Sequence, residues 1–212
     1  MPFKNRVNPY GEICFTHHRG KYMGNRGHLH NEKQEIIRNY QLKRWIFCLL
    51  DFKERKRTIM QPGRYTELFF LDEATALSAG HRPCAECQRY KYEMFKNIWC
   101  ESNHLPSMSA PEMDEYLHAE RTNQNKILMS FKSIPDFVMV EFNSKPYLKY
   151  MDQIFEWSFG GYNGPGKITT TEMVRVLTPP SIINTIRAGY KPEFSQQQYS
   201  VDYKNIGAAP LV

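Results

Sequence analysis

One short stretch, residues 66–87 (TELFFLDEATALSAGHRPCAEC), constrains the fold most, because it joins a strand, a helix and a pair of cysteines. Residues 68–71 form a compact apolar run that is typical of a buried strand. Asp72 can cap the helix that follows, residues 73–79 are good helix formers, and Gly80 ends them. The sequence therefore predicts a strand, a capped helix and a tight turn in direct succession.

The turn after this helix carries a Cys-x-x-C pair, Cys84 and Cys87, behind the stiffening residue Pro83. Two thiolates at this spacing can hold one tetrahedral zinc ion from one side, while the backbone amides of the turn stabilise the negative sulfurs. A structural zinc site needs two further ligands, and we expect them in one upstream region: Cys14, His17, His18, His28 and His30. A hydrogen-bonded turn without metal is the alternative interpretation of the pair.

The string EATALSAGHRPCAEC, which ends at Cys87, is similar to the second half of the Ada-type metal-binding module. The resemblance implies a strand, a short helix ending in Ala-Gly and an Arg-Pro-Cys-x-x-Cys turn, in a family that binds DNA in alkylation repair. In that family a separate upstream pair of cysteines completes the zinc site, whereas here Cys14 and Cys48 stand singly. The longer pattern, with GNRGHLH and QPGRYTELFFLDEA before it, also resembles a set of uncharacterised bacterial proteins.

Length and composition indicate a globular protein with a sizeable core. The chain has 212 residues, of which 41% are hydrophobic and 14% aromatic. That is enough for one domain over residues 1–212, or for a core at 1–125 with a β-rich subdomain at 126–212. We find no apolar stretch long enough to span a bilayer and no leader with a cleavage site. The five unevenly spaced cysteines are typical of reduced thiols, so we expect a cytoplasmic protein without a membrane partner.

The hydrophobic pattern predicts an α+β fold, with a mixed or antiparallel sheet, a few packed helices and a C-terminal β-meander. Residues 88–100 have apolar side chains at helical spacing, and Ser109 with Glu112 forms a capping box before a second helix. Strands of alternating polarity are expected at 137–142, 147–150 and 153–158. We expect polar, glycine-punctuated loops at 17–32 and 160–166.

The excess of basic residues favours a polyanionic partner. The formal net charge is +6 and the isoelectric point is near 9.0, with basic side chains concentrated in the first third of the chain. Tyrosines among them would let bases stack beside side chains that bind phosphate. We therefore predict a nucleic acid partner, DNA before RNA, bound by Arg19, Lys21, Arg26, Arg64, Tyr65, Arg82, Arg89 and Lys91. A solvated charged turn is the plainer interpretation of the cluster at 53–57.

The motif GNRGHLH and the carboxylates that follow it supply candidates for catalysis. Glu67 stands at an apolar strand, where burial would favour its use as a proton acceptor. Asn25 and His30 could hold a base or its leaving group, because the glycines around them let a ligand approach closely. Asp72 is a further catalytic candidate, although a helix cap is its simplest role. The alternatives are an outward-facing Glu67 on an edge strand and a plain hairpin loop.

Together these features favour a hydrolase that acts on DNA in repair or phage defence, most concretely a DNA glycosylase that flips out and removes a modified or damaged base. Such an enzyme needs one carboxylate, polar groups around the base, and basic residues on the flanking phosphates. A non-catalytic DNA- or RNA-binding module is the second hypothesis, and salt-dependent affinity without turnover would mark it. A nuclease is the third, although Asp136, Glu141 and Lys145 lack the spacing that a metal-binding carboxylate cluster requires.

Overall fold

The computed structural model describes residues 2–55, 58–123, 127–166, 168 and 172–195. These residues form two six-stranded sheets and four α-helices. The predicted α+β class is therefore confirmed, and the strands cluster into sheets without alternating regularly with helices.

The first sheet is built from short strands of the N-terminal part, in the order β2-β1-β5-β3-β4-β6. The strands are β1 (Lys4–Val7), β2 (Ile13–Phe15), β3 (Tyr22–Asn25), β4 (Ile46–Leu49), β5 (Leu68–Phe70) and β6 (Arg82–Pro83). Two neighbouring pairs, β1 with β5 and β4 with β6, are parallel, and the other pairs are antiparallel. The sheet is therefore mixed, and its parallel pairs join segments that lie far apart in the sequence.

The second sheet has the order β11-β10-β9-β8-β12-β7, with antiparallel pairing throughout. Its strands are β7 (Leu128–Ser130), β8 (Met139–Phe142), β9 (Lys145–Tyr150), β10 (Gln153–Ser158), β11 (Gly161–Gly166) and β12 (Met173–Val176). Strands β8 to β10 follow one another as the predicted meander, and β11 extends it by a fourth strand. In β12, Val174 and Val176 are buried while Met173 and Arg175 are exposed, as expected for a sheet with one face on the core.

Two of the four helices, α1 and α3, begin where the sequence places capping residues. They are α1 (Glu73–Ser78), α2 (Arg89–Ser102), α3 (Ala110–Thr122) and α4 (Pro180–Arg187), with a 3-10 turn at Phe131–Ser133. The carboxylate of Asp72 accepts from the amide of Thr75 at 2.8 Å and so caps α1. The amide of Ser109 donates to the carboxylate of Glu112 at 2.7 Å, which forms the predicted capping box of α3.

Helix α2 is central to the main hydrophobic core. Its buried face carries Phe95 and Trp99, both fully buried. The same cluster of buried side chains includes Leu68 of β5, Val140 of β8 and Ile183 of α4. Residues from both halves of the chain therefore pack into one cluster. No helix in the described part of the chain combines the length and apolarity needed to cross a bilayer.

Two of the predicted loops contain strands. Strand β3 lies inside the expected loop at 17–32, and β11 occupies most of the expected loop at 160–166. A Cβ at Gly24 would lie 2.2 Å from the carbonyl oxygen of Ile46, so this glycine permits the close approach of two strands. Tyr162 is 2% exposed and packs within β11. Glycine favours turns and also close strand contacts, and the sequence pattern alone does not separate these two uses.

Candidate metal centre and nucleic-acid interface

Three cysteines from distant segments meet at one edge of the first sheet. Cys48 lies on β4, and Cys84 directly follows β6. The parallel register of these strands pairs Phe47 with Pro83. The amide of Cys84 donates to the carbonyl of Phe47 at 2.9 Å, which places Cys84 beside β4. Cys87 completes the group, and the three sulfur atoms all lie within 4.8 Å of one another. We call these residues the cysteine group.

Hydrogen bonds between the three sulfurs shift the pKa values of Cys48 and Cys84 in opposite directions. The thiols of Cys48 and Cys87 donate to Cys84, and the amides of the turn add to this, so the pKa of Cys84 is lowered. One of these amides, that of Glu86, lies 3.4 Å from the Cys84 sulfur. Hydrogen bonding to its two neighbours and burial raise the pKa of Cys48. Ionising all three sulfurs together would place like charges side by side, so a bound cation would favour the three-thiolate state.

The cysteine group could bind one metal ion. In tetrahedral zinc–thiolate centres, bonds of about 2.3 Å separate the sulfurs by about 3.8 Å, and the three sulfurs here lie within 4.8 Å of one another. Thiolates are soft ligands that suit zinc better than magnesium or calcium. Within the described residues the group supplies three ligands. Zinc sites with three protein ligands keep the fourth position for water or a bound molecule.

The residue that the structure brings to Cys84 and Cys87 is Cys48, and not one of the residues in which we expected the additional ligands. None of five upstream residues belongs to the cysteine group: Cys14, His17, His18, His28 and His30. The imidazole of His30 instead contacts the hydroxyl of Thr66 at 2.6 Å and packs edge-on against His28. The third ligand, Cys48, sits in the apolar string IFCL, and only the pairing of β4 with β6 brings it to Cys84.

A basic and aromatic surface adjoins the cysteine group. We call it the basic rim, and it consists of Phe52, Lys53, Arg55 and Tyr65. The Lys53 ammonium lies 5.0 Å from the centre of the Phe52 ring, and the Arg55 guanidinium lies 5.3 Å from it. Arg55 also pairs at 2.5 Å with Glu86, which stands between Cys84 and Cys87 in the sequence. The hydrogen bond and charge of Glu86, with smaller effects of Tyr65 and Cys84, raise the pKa of Arg55, so its guanidinium stays charged.

Five of the residues predicted to bind nucleic acid are exposed to solvent: Arg19, Lys21, Arg64, Tyr65 and Arg89. Tyr65 belongs to the basic rim, and Arg64 precedes it. Arg89 opens helix α2 two residues after Cys87 and pairs with Glu93 at 2.8 Å. Arg19 and Lys21 line a cleft of about 270 Å³ between the two sheets.

The other three predicted contacts have protein partners. The guanidinium of Arg82 makes two hydrogen bonds of 2.8 Å to Asp114, and both side chains are buried. Arg26 is 1% exposed and donates to the carbonyl of Gly11 at 2.8 Å. The ammonium of Lys91 donates to Glu73 at 2.8 Å. These cations therefore hold the fold together in this structure, and their side chains point to protein groups.

The predicted catalytic residues are held in structural hydrogen bonds. Glu67 is 3% exposed and its carboxylate accepts from the amide of Met60 at 2.8 Å. Strand β5, which follows it, is an interior strand between β1 and β3 and not an edge strand. Asp72 accepts from the amide of Ser195 at 2.8 Å in addition to its cap. Asn25 lies on β3 opposite Ile46. None of the residues Glu67, Asn25, His30 and Asp72 lines the clefts of about 550 Å³ and 270 Å³.

A second buried cluster lies around Trp45. The guanidinium groups of Arg26 and Arg121 lie 3.9 Å and 4.3 Å from the centre of its ring. Burial lowers the pKa of both arginines to about 9. The Nε of Arg26 donates to Nε2 of His81 at 3.2 Å. Burial and the two arginines lower the pKa of His81 well below its usual value of 6.5, so this imidazole is neutral in the folded protein.

The neutral His81 predicts a loss of stability in acid. The unfolded chain binds a proton on this histidine near pH 6.5, whereas the folded chain does not. The free energy of unfolding should therefore fall as the pH drops below 6.5, by at most about 1.4 kcal/mol per pH unit from this group. Urea titrations at several pH values check this. The slope should be shallower in His81→Gln and unchanged in the exposed control His17→Gln. Equal slopes in all three proteins would contradict it.

Comparisons of the chain with protein-family models, with curated proteins and with solved structures gave no match. The functional assignment therefore depends on the geometry of the cysteine group and its surroundings.

Proposed function

We propose that this protein binds DNA, and that a zinc ion held by Cys48, Cys84 and Cys87 fixes the surface that contacts the duplex. The observation that carries the proposal is the convergence of three thiols with the basic rim at one edge of the first sheet. The ion pair of Arg55 with Glu86 connects the basic rim to the turn that carries Cys84 and Cys87. This contact favours a single function for the metal centre and the cationic surface.

The charge of the basic rim supports phosphate binding. Lys53 and Arg55 present cations beside the ring of Phe52, and Arg55 has a single carboxylate partner, Glu86, among the ion pairs of the described residues. Exposed ion pairs of this kind contribute little to stability, so a phosphate can replace Glu86 at small cost. Tyr65 is 37% exposed and offers a stacking surface next to these cations.

Zinc held by these three thiolates would join separate segments of the chain, and its fourth position would stay open to water or a bound molecule. The edge strand β6 has only two residues, Arg82–Pro83, and pairs with one neighbour, β4. A metal bound to Cys48 and Cys84 would tie this short strand to β4, and a bond to Cys87 would tie the start of helix α2 to the same point. Metal bonds of this kind would add to the small apolar cluster that Cys48 and Cys84 form with Met23.

The resemblance to the Ada-type module is consistent with this proposal. The order of strand β5, helix α1 and the turn at Cys84 and Cys87 is the order that the resemblance implies. Cys48 stands upstream where that family has a pair of cysteines, so this chain would hold the metal with one upstream thiolate in place of two. The family binds DNA, which is the activity proposed here.

The glycosylase and nuclease hypotheses receive less support. Glu67 is buried and its carboxylate accepts a hydrogen bond from the amide of Met60, so the carboxylate does not face a site where a base could bind. The residues of the nuclease hypothesis are paired one by one with other side chains: Asp136 with Lys149, Glu141 with Arg175, and Lys145 with Glu156. Removal of a base by Glu67 stays a prediction, and binding without turnover is the function that the geometry favours.

Binding to duplex DNA should depend on the basic rim. In Lys53→Ala/Arg55→Ala, two phosphate contacts are lost, so the affinity should fall and the slope of log K against log salt should become shallower by about 2. Fluorescence anisotropy with a labelled duplex at several salt concentrations measures both. The control Lys132→Ala/Lys145→Ala removes the same charge from two exposed positions, one in the 3-10 turn and one at the start of β9, and should leave the slope unchanged. Equal slopes in the two variants would contradict the proposal.

A further inference from the structure

A cleft of about 270 Å³ lies between the two sheets, far along the chain from the cysteine group. We call it the His18 cleft. One wall comes from the segment that leads into β3, and carries His18, Arg19 and Lys21. The opposite wall is the turn between β10 and β11, with Phe159 and Gly160. Residues of the N-terminal and C-terminal parts of the chain therefore build it together.

The charge of the His18 cleft is positive. Arg19 and Lys21 are exposed cations, and none of the described residues that line the cleft is acidic. The pKa of Arg6 is lowered, first by burial of its guanidinium and second by the positive charge of the nearby Arg19. The carboxylate near Lys21 is Glu193, and it already accepts from Tyr22 at 2.7 Å. Like charges face one another here, so an anion would relieve their repulsion.

A buried hydroxyl group at the floor of the cleft lacks a partner. Ser195 is 7% exposed, and among the described residues its Oγ has no hydrogen-bond partner. Its backbone is fixed, because its amide donates to the carboxylate of Asp72 at 2.8 Å. Leaving a buried hydroxyl unpaired costs about 1–3 kcal/mol. A ligand with an acceptor oxygen would satisfy it.

The remaining walls are rigid and partly apolar. A Cβ at Gly160 would lie 3.0 Å from Cε1 of His18, so glycine lets the imidazole rest directly on the turn. The ring of Phe159 packs edge-on against Trp157, with 4.7 Å between ring centres. Leu71 is 7% exposed and adds a second apolar surface. The cleft thus combines cationic groups and a hydroxyl donor with two apolar side chains, Phe159 and Leu71.

We propose that the His18 cleft binds a nucleotide, with its phosphate at Arg19, Lys21 and Ser195 and its base or sugar against Phe159 and Leu71. Phosphate oxygens match both the cations and the unpaired hydroxyl, and an aromatic edge suits the attached ring. That the bound phosphate belongs to a nucleic acid strand rests on the proposed DNA-binding function, whereas phosphate binding in the cleft does not depend on it. A free mononucleotide carries the same chemistry.

The test is calorimetric titration of the full chain with thymidine monophosphate and with thymidine. We expect the monophosphate to bind at least about tenfold more tightly, as two charge-assisted contacts imply. Arg19→Ala/Lys21→Ala should remove most of this difference. Ser195→Ala should reduce it several-fold and raise the unfolding midpoint, because the variant no longer buries an unpaired hydroxyl. The control Lys33→Ala removes an exposed charge elsewhere and should bind as the wild type does. Equal binding of the two probes, or wild-type binding by both cleft variants, would overturn the proposal.

A third probe, an oligothymidine without terminal phosphates, identifies the source of the phosphate. Binding that depends on Arg19 and Lys21 assigns the cleft to a strand, whereas binding of the monophosphate alone assigns it to a free nucleotide. The two proposals can fail separately. Duplex binding that needs Lys53 and Arg55, without any binding of the monophosphate, would overturn only the cleft. Binding of the monophosphate without duplex binding would overturn only the proposed DNA-binding function.

Discussion

Cys48→Ser is expected to abolish zinc binding and to loosen the edge of the first sheet. Cys48 is the only ligand of the cysteine group that comes from outside the turn at Cys84 and Cys87. Mutating a residue that only hydrogen-bonds to a metal ligand lowers metal affinity about 10–100-fold. Loss of the ligand itself should therefore lower zinc affinity by about 100-fold or more. The zinc content of the purified protein should fall from about one per chain to near zero.

Two measurements decide this prediction. Elemental analysis gives the zinc content, and thermal unfolding with and without a chelator gives the stability that the metal contributes. The matched control is Cys14→Ser, which removes a free thiol that is not part of the group. It should keep the zinc and the chelator effect. A wild-type protein without zinc, or a Cys48→Ser variant that retains it, would show that the three thiols are not a zinc site.

Asp114→Ala should be among the most destabilising single substitutions in this chain. The Asp114 carboxylate makes two hydrogen bonds of 2.8 Å to the guanidinium of Arg82, and the two side chains are only 6% and 2% exposed. Removing the carboxylate leaves a buried cation without its counter-charge. That change costs about 3–5 kcal/mol in comparable buried pairs. Because Arg82 lies on β6, the loss should also weaken the position of Cys84.

The neighbouring residue offers a matched control. Glu115 forms an ion pair of 2.5 Å with Lys43, but both side chains are more than half exposed, at 61% and 54%. Exposed pairs contribute about 0–1 kcal/mol, so Glu115→Ala should change stability little. Urea denaturation of both variants gives the comparison directly. Similar midpoints for the two variants would mean that the buried pair does not support the fold in the way described.

Several elements were predictable from local sequence because their hydrogen bonds are local. The Asp72 carboxylate accepts from the amide of Thr75 three residues later, and the amide of Ser109 donates to the carboxylate of Glu112 over the same spacing. The meander β8 to β11 was predictable from alternating polarity in its first three strands. Its fourth strand was not, because the glycines of β11 are equally typical of a turn.

The candidate site was predictable only in part. The pair Cys84 and Cys87 was visible because both ligands lie in one turn, whereas Cys48 carries no local mark of its role. Basic residues were a poorer guide, since Arg26 and Arg82 are buried against protein partners and Arg55 is exposed. Composition counts charges, and it does not tell whether a charge faces solvent or a carboxylate.

The sequence by itself determined the capped helices, the cysteine turn and the α+β class, since each depends on spacing within one segment. Only the tertiary structure decided the third thiol, the burial of Glu67 and the position of the His18 cleft. These depend on the parallel pairing of β4 with β6, and on the return of the C-terminal segment to Asp72. Such contacts join residues that are far apart in the chain, so their energies are settled by packing of the whole core and not by any local pattern.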